Sequence, residues 1–225
     1  NYAISIDTSK QTKHEYYSYV RTTIDVKRRN FLLPLVPTVY VIAHGRQRQY
    51  ISESYNKIIS RGYNDYSIQT LLRTTTIPRK KEPLTNLNKY LAPRLYEKTI
   101  IDNTLLSPFH PANFKFYQYR IIVAHSNTIH IRFIPKRYNT RLIKGDAEVD
   151  YITGRIIKCN FSGEYDMISF SSQLELGKKG IMSLLPHYGT TQFQFRFMAN
   201  LITGSMTAYY NLNKPLSDSI NNGDN

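Results

Sequence analysis

Residues 129–170 read IHIRFIPKRYNTRLIKGDAEVDYITGRIIKCNFSGEYDMISF, and their alternation decides the fold. Ile129, Ile131 and Phe133 fall on one face of an extended segment, with His130 and Arg132 on the other. Pro135 to Asn139 interrupts the pattern as a loop. From Leu142 to Asp150 it resumes: Ala147 and Val149 face one way, and Asp146, Glu148 and Asp150 the other. Thr153-Gly154 supplies a hairpin turn, and Arg155 to Phe161 returns. A period of two over successive short segments marks an antiparallel meander with one dry face and one wetter face.

The same period extends outward in both directions. Upstream, Phe114 to Val123 forms a strand, and Ser126-Asn127 turns it into the next. Asp65 to Thr76 is a further strand candidate. Gln49 to Ser60 is another, with Ile51, Tyr55 and Ile59 on one face. In Tyr16 to Lys27, Tyr16, Val20, Ile24 and Val26 share one parity and Arg21, Asp25 and Lys27 the other. Downstream, Asp166 to Leu176 is followed by turn signals at Gly177 and Gly180. Phe193, Phe195 and Phe197 alternate with Gln192, Gln194 and Arg196. Gly204 interrupts the last pair, and Met206 to Leu212 closes the sheet. One segment departs from this period. In PLTNLNKYLAPRLYEKT, residues 83–99, Leu84, Leu87 and Leu91 recur at helical spacing and Pro83 suits a first helical turn, so a helical element is expected there, ended or kinked by Pro93. Residues 100–113 read as an irregular connection. The expected fold is mainly β within an α+β class: a large curved antiparallel sheet or half-barrel meander with that helical element. A single β-rich domain spans 15–212, between a loosely held segment 1–14 and a polar tail 213–225.

Composition agrees. The 225 residues include 19 Tyr, 10 Phe and no Trp, a palette suited to half-buried pleated surfaces. The formal charge of +14 favours anionic partners, although the basic residues are spread along the chain as on any soluble basic surface. The single cysteine, Cys159, rules out an internal disulfide and a cysteine zinc cluster. Its parity with Ile157 and Phe161 makes it a small buried apolar residue. The longest apolar run, FLLPLVPTVYVIA at 31–43, is too short and too proline-rich for a membrane helix and reads as a buried extended crossing. A chain beginning at Asn1 reads as a processed or excised piece.

Catalytic motifs are missing. There is no phosphate-binding glycine loop and no G-x-S-x-G elbow, and no cofactor is expected. His14, His44, His110, His125, His130 and His187 are isolated, although His125 and His130 flank a turn. Asp146, Glu148 and Asp150, with Glu164 and Asp166 on the next strand, offer the one acidic cluster with the chemistry to hold a cation or supply an acid and a base. The commoner use of such residues is structural: Asp150 capping turn amides, and Asp146 and Glu148 pairing across strands with Lys158 or Arg141. The many tyrosines alternate within strands, and no nucleic acid partner is expected.

The phrases RFIPK, NTRLIKG, a carboxylate-ended strand and TGR within 129–170 resemble the middle region of an uncharacterised family of Bacteroides-type outer-membrane-associated proteins, with a carboxypeptidase-regulatory-like front domain and a barrel behind. VKRRNFLLPLVP, YISESYNKIISR, TIPR, LSPFHPANFKFYQYR and GIMSLLP resemble other parts of that region. The strand–loop–strand run also looks like the half-barrel of periplasmic lipoprotein carriers. The resemblance implies a periplasmic or outer-membrane-associated place and a lipid, a lipoprotein or an envelope protein as partner. It carries over no catalytic residue. On this reading Ile129, Ile131, Phe133, Phe193, Phe195 and Phe197 are the candidate apolar ligand face, although core packing is the commoner use of such triplets. The alternatives are an enzyme acting on an anionic envelope substrate through Asp146, Glu148, Asp150, Glu164 and Asp166, and a structural spacer next to a barrel.

Overall fold

The computed structural model describes residues 14–33, 45, 47–60, 66–77, 93–101, 104–125, 127–165, 167–178 and 183–212. Ten strands form one antiparallel sheet: β1 His14–Arg28, β2 Gln49–Ser60, β3 Tyr66–Thr75, β4 Tyr117–Ala124, β5 Thr128–Pro135, β6 Lys144–Asp150, β7 Ile156–Tyr165, β8 Ile168–Leu176, β9 Pro186–Phe197 and β10 Asn200–Leu212. Their spatial order is β3-β2-β1-β10-β9-β8-β7-β6-β5-β4. This is the expected mainly β fold, an open sheet consistent with a curved half-barrel. Every neighbour pair is consecutive in sequence except β1 and β10, which join two meanders along a seam running from Tyr17–Leu212 to Arg28–Leu201.

Register assigns the faces. Val20, Ala208, Gly189, Leu174, Cys159, Ala147 and Ile131 lie side by side across seven strands and make the inner face. Most of this row is small, so the middle of the sheet is a shallow floor. The opposite parity puts Tyr55, Tyr19, Tyr209, Tyr188, Glu175, Lys158, Glu148 and His130 in one outer row. Apolar burial on the inner face divides into two clusters. The larger includes Val20, Phe133, Ala147, Cys159, Phe161 and Leu174, together with Leu95, Tyr96, Ile100 and Leu105 from the loops before β4. The smaller joins Ile24, Val26, Leu33, Tyr50, Ile77, Phe195 and Ile202. Burying side chains of this size contributes about 1.5–3 kcal/mol each, which is what holds the two clusters together.

The loops of the larger cluster are tied down by polar groups. Tyr117 Oη donates to Leu106 O at 2.7 Å and accepts from Ile143 N at 3.3 Å. Tyr96 Oη accepts from Ile156 N at 2.6 Å. Asn113, fully buried, donates to Lys98 O and Ser107 O. These bonds satisfy backbone groups that would otherwise be buried without partners.

Several local expectations change. Of the helical element expected over 83–99, residues 83–92 lie outside those described. Residues 93–99 form turns, held by Arg94 N donating to Ile100 O and Glu97 N donating to Arg94 O. Pro93 lacks an N–H and disfavours helix in the residue before it. The described helical turn is instead a short 3-10 segment, Pro111–Phe116, with Pro at its start and His110 as its cap. The strand expected to begin at Phe114 therefore starts at Tyr117. The ends 1–13 and 213–225, and residues 34–43 of the apolar run, also lie outside the described residues. Phe31 at the head of that run is exposed and Leu33 buried.

In β2 the inward face is not Ile51, Tyr55 and Ile59. It is Tyr50, Ser52, Asn56 and Ile58, because these stand opposite the buried Ile24, Thr22, Ser18 and Tyr16 of β1. Tyr55 is buried on the outer side, stacked on Tyr17 at 5.7 Å between ring centroids. Gly204 does not interrupt a strand. β10 runs through it, and the hairpin turn lies earlier, at Met198-Ala199.

Candidate functional site

The two triplets proposed as an apolar face share the inner side of the sheet but not one pocket. Phe133 is fully buried in the larger cluster, with Ile129 and Ile131 half-buried against it. Its ring meets Phe109 edge-on at 5.4 Å and Tyr117 at 6.3 Å. Phe195 is fully buried in the smaller cluster, with Phe193, Phe197 and Ile168 half-buried at its border. Phe193 lies over Gly204 of β10: a Cβ there would come within 2.3 Å of its ring and 2.7 Å of Thr23 O. The glycine makes room for the ring, a device that lets a sheet bend beneath an aromatic.

Within the larger cluster and between the two, the inner face also carries buried polar groups. Ser18, Thr22, Ser52, Asn56 and Ser172 are buried. Asn56 Nδ2 donates to Ser54 Oγ at 3.1 Å, and Asn56 Oδ1 accepts from Thr70 Oγ1 at 2.9 Å. Ser172 Oγ and Thr191 Oγ1 are 2.9 Å apart. The alternation of the triplets was readable; the buried hydroxyls and amide on the same face were not, since Ser and Thr on a strand fit either face.

The carboxylates do not converge. Asp150 caps its turn, accepting from Ile152 N at 3.1 Å and Thr153 N at 3.0 Å. These amides hold its carboxyl below the ordinary aspartate range. Asp146 accepts from Asn160 Nδ2 at 3.2 Å. Glu148 stands 3.9 Å from His130 Nε2, while Lys158, opposite it, pairs with Glu175 at 2.9 Å. Glu164 accepts from Tyr138 Oη at 3.0 Å, and Asp166 lies outside the described residues. Asp146, Glu148, Asp150 and Glu164 thus each have their own partner on the outer side of the sheet. Among the described residues no three His, Cys, Asp or Glu side chains are grouped as a metal site. His130 stands opposite Val123 rather than His125. Cys159 is fully buried, and burial pushes its thiol well up, so it stays protonated and inert.

The outer face holds a feature that the sequence did not announce. A wide, shallow groove of about 500 Å³ is lined by Asp25, Ser169, Ser171, Gln192, Gln194, Thr203 and Ser205 together with Phe170, Phe193 and Gly204. Its polar residues alternate along the strands with Phe170, Phe193 and Gly204, and their hydroxyls and amides offer hydrogen bonds beside apolar surface. The signal was the repeated Ser, Thr and Gln at alternate positions of β8, β9 and β10. The tyrosine row flanks this region, with Tyr188 and Tyr209 at 5.0 Å.

A family model described as a family of unknown function, DUF5686, matches residues 5–213. The chain belongs to this family. No curated protein matches it. Among solved structures, a LolA superfamily protein from Nitrosomonas europaea is 12% identical, with 94% of this chain and 90% of that one covered at a TM-score of 0.27. A structure described as an outer membrane lipoprotein-sorting protein domain, from Vibrio parahaemolyticus, is 10% identical, with 92% and 90% covered at a TM-score of 0.28. At such figures the likeness carries no functional argument for a member of this family. No helix among the described residues is long and apolar enough to cross a membrane.

Proposed function

We propose that this chain is a non-catalytic binding domain of the cell envelope, periplasmic or outer-membrane-associated, that holds a lipid or a lipid-bearing protein against the inner face of its sheet. The observation that carries the reading is the build of that face. A floor of small residues, Gly189, Ala208, Cys159 and Ala147, runs between bulky apolar groups, and Phe193, Phe197 and Ile168 stand half-buried at the border of the smaller cluster. An acyl chain laid along such a face gains about 0.8 kcal/mol per CH₂ removed from water. The +14 charge would draw a phosphate-bearing headgroup, and that attraction would weaken with salt. The floor residues are buried in the structure, so uptake requires an opening. The envelope location follows the resemblance of the chain's phrases to envelope proteins.

The separation of Asp146, Glu148, Asp150 and Glu164 onto individual partners weighs against the enzyme alternative. The spacer alternative differs from the binding reading in one measurable way, the absence of exchangeable ligand. Native mass spectrometry of the gently purified domain, followed by lipid extraction and titration with an environment-sensitive hydrophobic dye, tests it. Co-purifying lipid that the dye displaces, with uptake reduced by Phe197→Asp, is the expected result. A clean mass with no dye uptake would leave the spacer reading in its place.

A further inference from the structure

β4 ends the sheet, and the far side of its backbone pairs with no strand among the described residues. Lys136 N donates to Phe116 O at 2.9 Å, which sets the phase of the ladder with β5. Gln118 and Arg120 then turn their backbone groups towards Ile134 and Arg132, while Tyr119 and Ile121 turn theirs outward. A bulge at Ile122 bends the strand beyond this point, leaving Tyr117–Ile121 as the flat stretch. Open edges are usually short, charged or covered. This one carries Ile121 at 67% exposure, Ile122 at 46% and Val123 at 43%. Phe114, itself exposed, packs edge-on against Tyr119 at 5.8 Å and widens the apolar strip.

On the outer face the same edge is basic. Arg120 stands directly opposite Arg132, and neither guanidinium has a hydrogen-bond or ion-pair partner among the described residues, although Asp146 of β6 stands opposite Arg132 on its other side. Like charges directly opposite on paired strands are destabilising, so Arg120, at the edge with no carboxylate opposite it, carries an unfilled anion preference. It also weighs against one occupant. A second copy docking by two-fold symmetry about Arg120 would pair β4 with β4 and set Arg120 beside its counterpart, with both Arg132 groups behind.

We propose that the β4 edge is a strand-addition site, and that its occupant is an extended segment of a partner protein with alternating apolar and acidic side chains. The apolar side chains lie on the inner side against Tyr119 and Ile121, the acidic ones on the outer side facing Arg120 and Arg132, and the partner's backbone completes the ladder through the amides of Tyr119 and Ile121. The site is at the open edge of β4, whereas the lipid reading rests on the floor of small residues and on Phe193, Phe197 and Ile168, so the two stand or fall separately.

A short synthetic peptide of alternating valine and glutamate is the probe, with its backbone N-methylated form and its valine–lysine form as controls. Binding is read by calorimetry, and amide hydrogen exchange locates it. The expected result is binding by the glutamate peptide only, weaker at high salt, with the Tyr119 and Ile121 amides slowed. Ile121→Pro removes an outward-facing N–H that no β5 group uses, so it leaves the sheet intact by circular dichroism while weakening the peptide about tenfold or more. Arg120→Glu shifts preference towards the lysine peptide. No binding, equal binding of the N-methylated peptide, or an unchanged affinity in Ile121→Pro overturns the proposal. Concentration-dependent dimerisation abolished by Ile121→Pro also overturns it, by making a second copy the occupant.

Discussion

Two residues of one turn carry backbone strain that side chains normally avoid. Met198 and Ala199 both have positive φ, 45° and 62°, between β9 and β10. A two-residue hairpin with both central residues left-handed ordinarily uses Asn-Gly. Each ordinary L-residue held there costs about 1–2 kcal/mol. The surroundings hold the turn: Asn30 Nδ2 donates to Met198 O at 2.6 Å, and Asn30 and buried Asn200 exchange bonds, with Asn30 N donating to Asn200 Oδ1 at 2.7 Å and Asn200 Nδ2 donating to Asn30 Oδ1 at 2.8 Å. Replacing the pair by Met198→Asn with Ala199→Gly is therefore expected to raise stability by about 1 kcal/mol, read as a higher urea midpoint at unchanged slope. A lower midpoint would mean that the strain is not there. At Tyr117 the lever is pH. Burial pushes its hydroxyl up to about 12, only partly offset by the bond from Ile143 N. A raised folded value means that the neutral form is favoured in the fold. That stabilisation is full below about 10, the value of an unfolded tyrosine, and is lost as pH rises through about 12. Tyr117→Phe should cost about 1–2 kcal/mol at neutral pH, because Ile143 N and Leu106 O lose their partner. It should also flatten the loss of stability above pH 10, measured by urea unfolding across the alkaline range.

At the scale of elements, what the sequence reveals depends on whether a local pattern is sufficient. β5 to β7 were readable because β5 and β6 alternate strictly and Gly154, at φ 76°, marks the hairpin; a register shift at the start of β7 puts Ile156, and not Ile157, in the core. β2 was misread because Ile51, Tyr55 and Ile59 make as good an apolar face as Tyr50 and Ile58. Only the partner strand decides between them, and Ser52 and Asn56 turn inward because Thr22 and Ser18 do. The Met198-Ala199 turn was invisible because neither residue signals left-handed backbone, and Gly204 drew attention instead. That glycine serves the packing of the β9–β10 hairpin. Gly204→Val would place side-chain atoms against Phe193 and against the backbone of Thr23. The backbone contact cannot be relieved by a rotamer change, so a loss of about 1–3 kcal/mol is expected. The accompanying sign is an altered near-ultraviolet dichroism as Phe193 leaves its place over β10. A neutral thermal midpoint would show that the strand bends away at little cost. Of the candidate site, the parity of both Phe and Ile triplets was legible. Their division into two clusters was not, because it depends on which loops cover the sheet.

At the scale of the whole molecule the sheet is two meanders joined at one seam. β1 to β3 and β4 to β10 each form by short-range pairing, and only β1–β10 needs the chain ends brought together. Such non-local pairing carries the loop-closure cost before its contacts stabilise anything, so it should be the last part of the ladder to form. The apolar clusters oppose that separation, since Tyr16 and Val20 of β1 pack with β4–β10 residues and Ile24 and Val26 pack with Phe195 and Ile202. A substitution confined to the seam distinguishes the two influences. Ala208 is buried on β10 directly opposite Val20. Ala208→Asp buries a charge with no partner there and should weaken the seam by several kcal/mol. If the meanders are separable units, native-state hydrogen exchange will show amides of β1 to β3 losing protection together while those of β5 to β8 keep most of theirs. If the two clusters make one cooperative unit, all ten strands will lose protection in step and urea unfolding will stay a single transition. The first outcome is expected, because the larger cluster draws most of its buried side chains from β4 to β10 and the loops beside them.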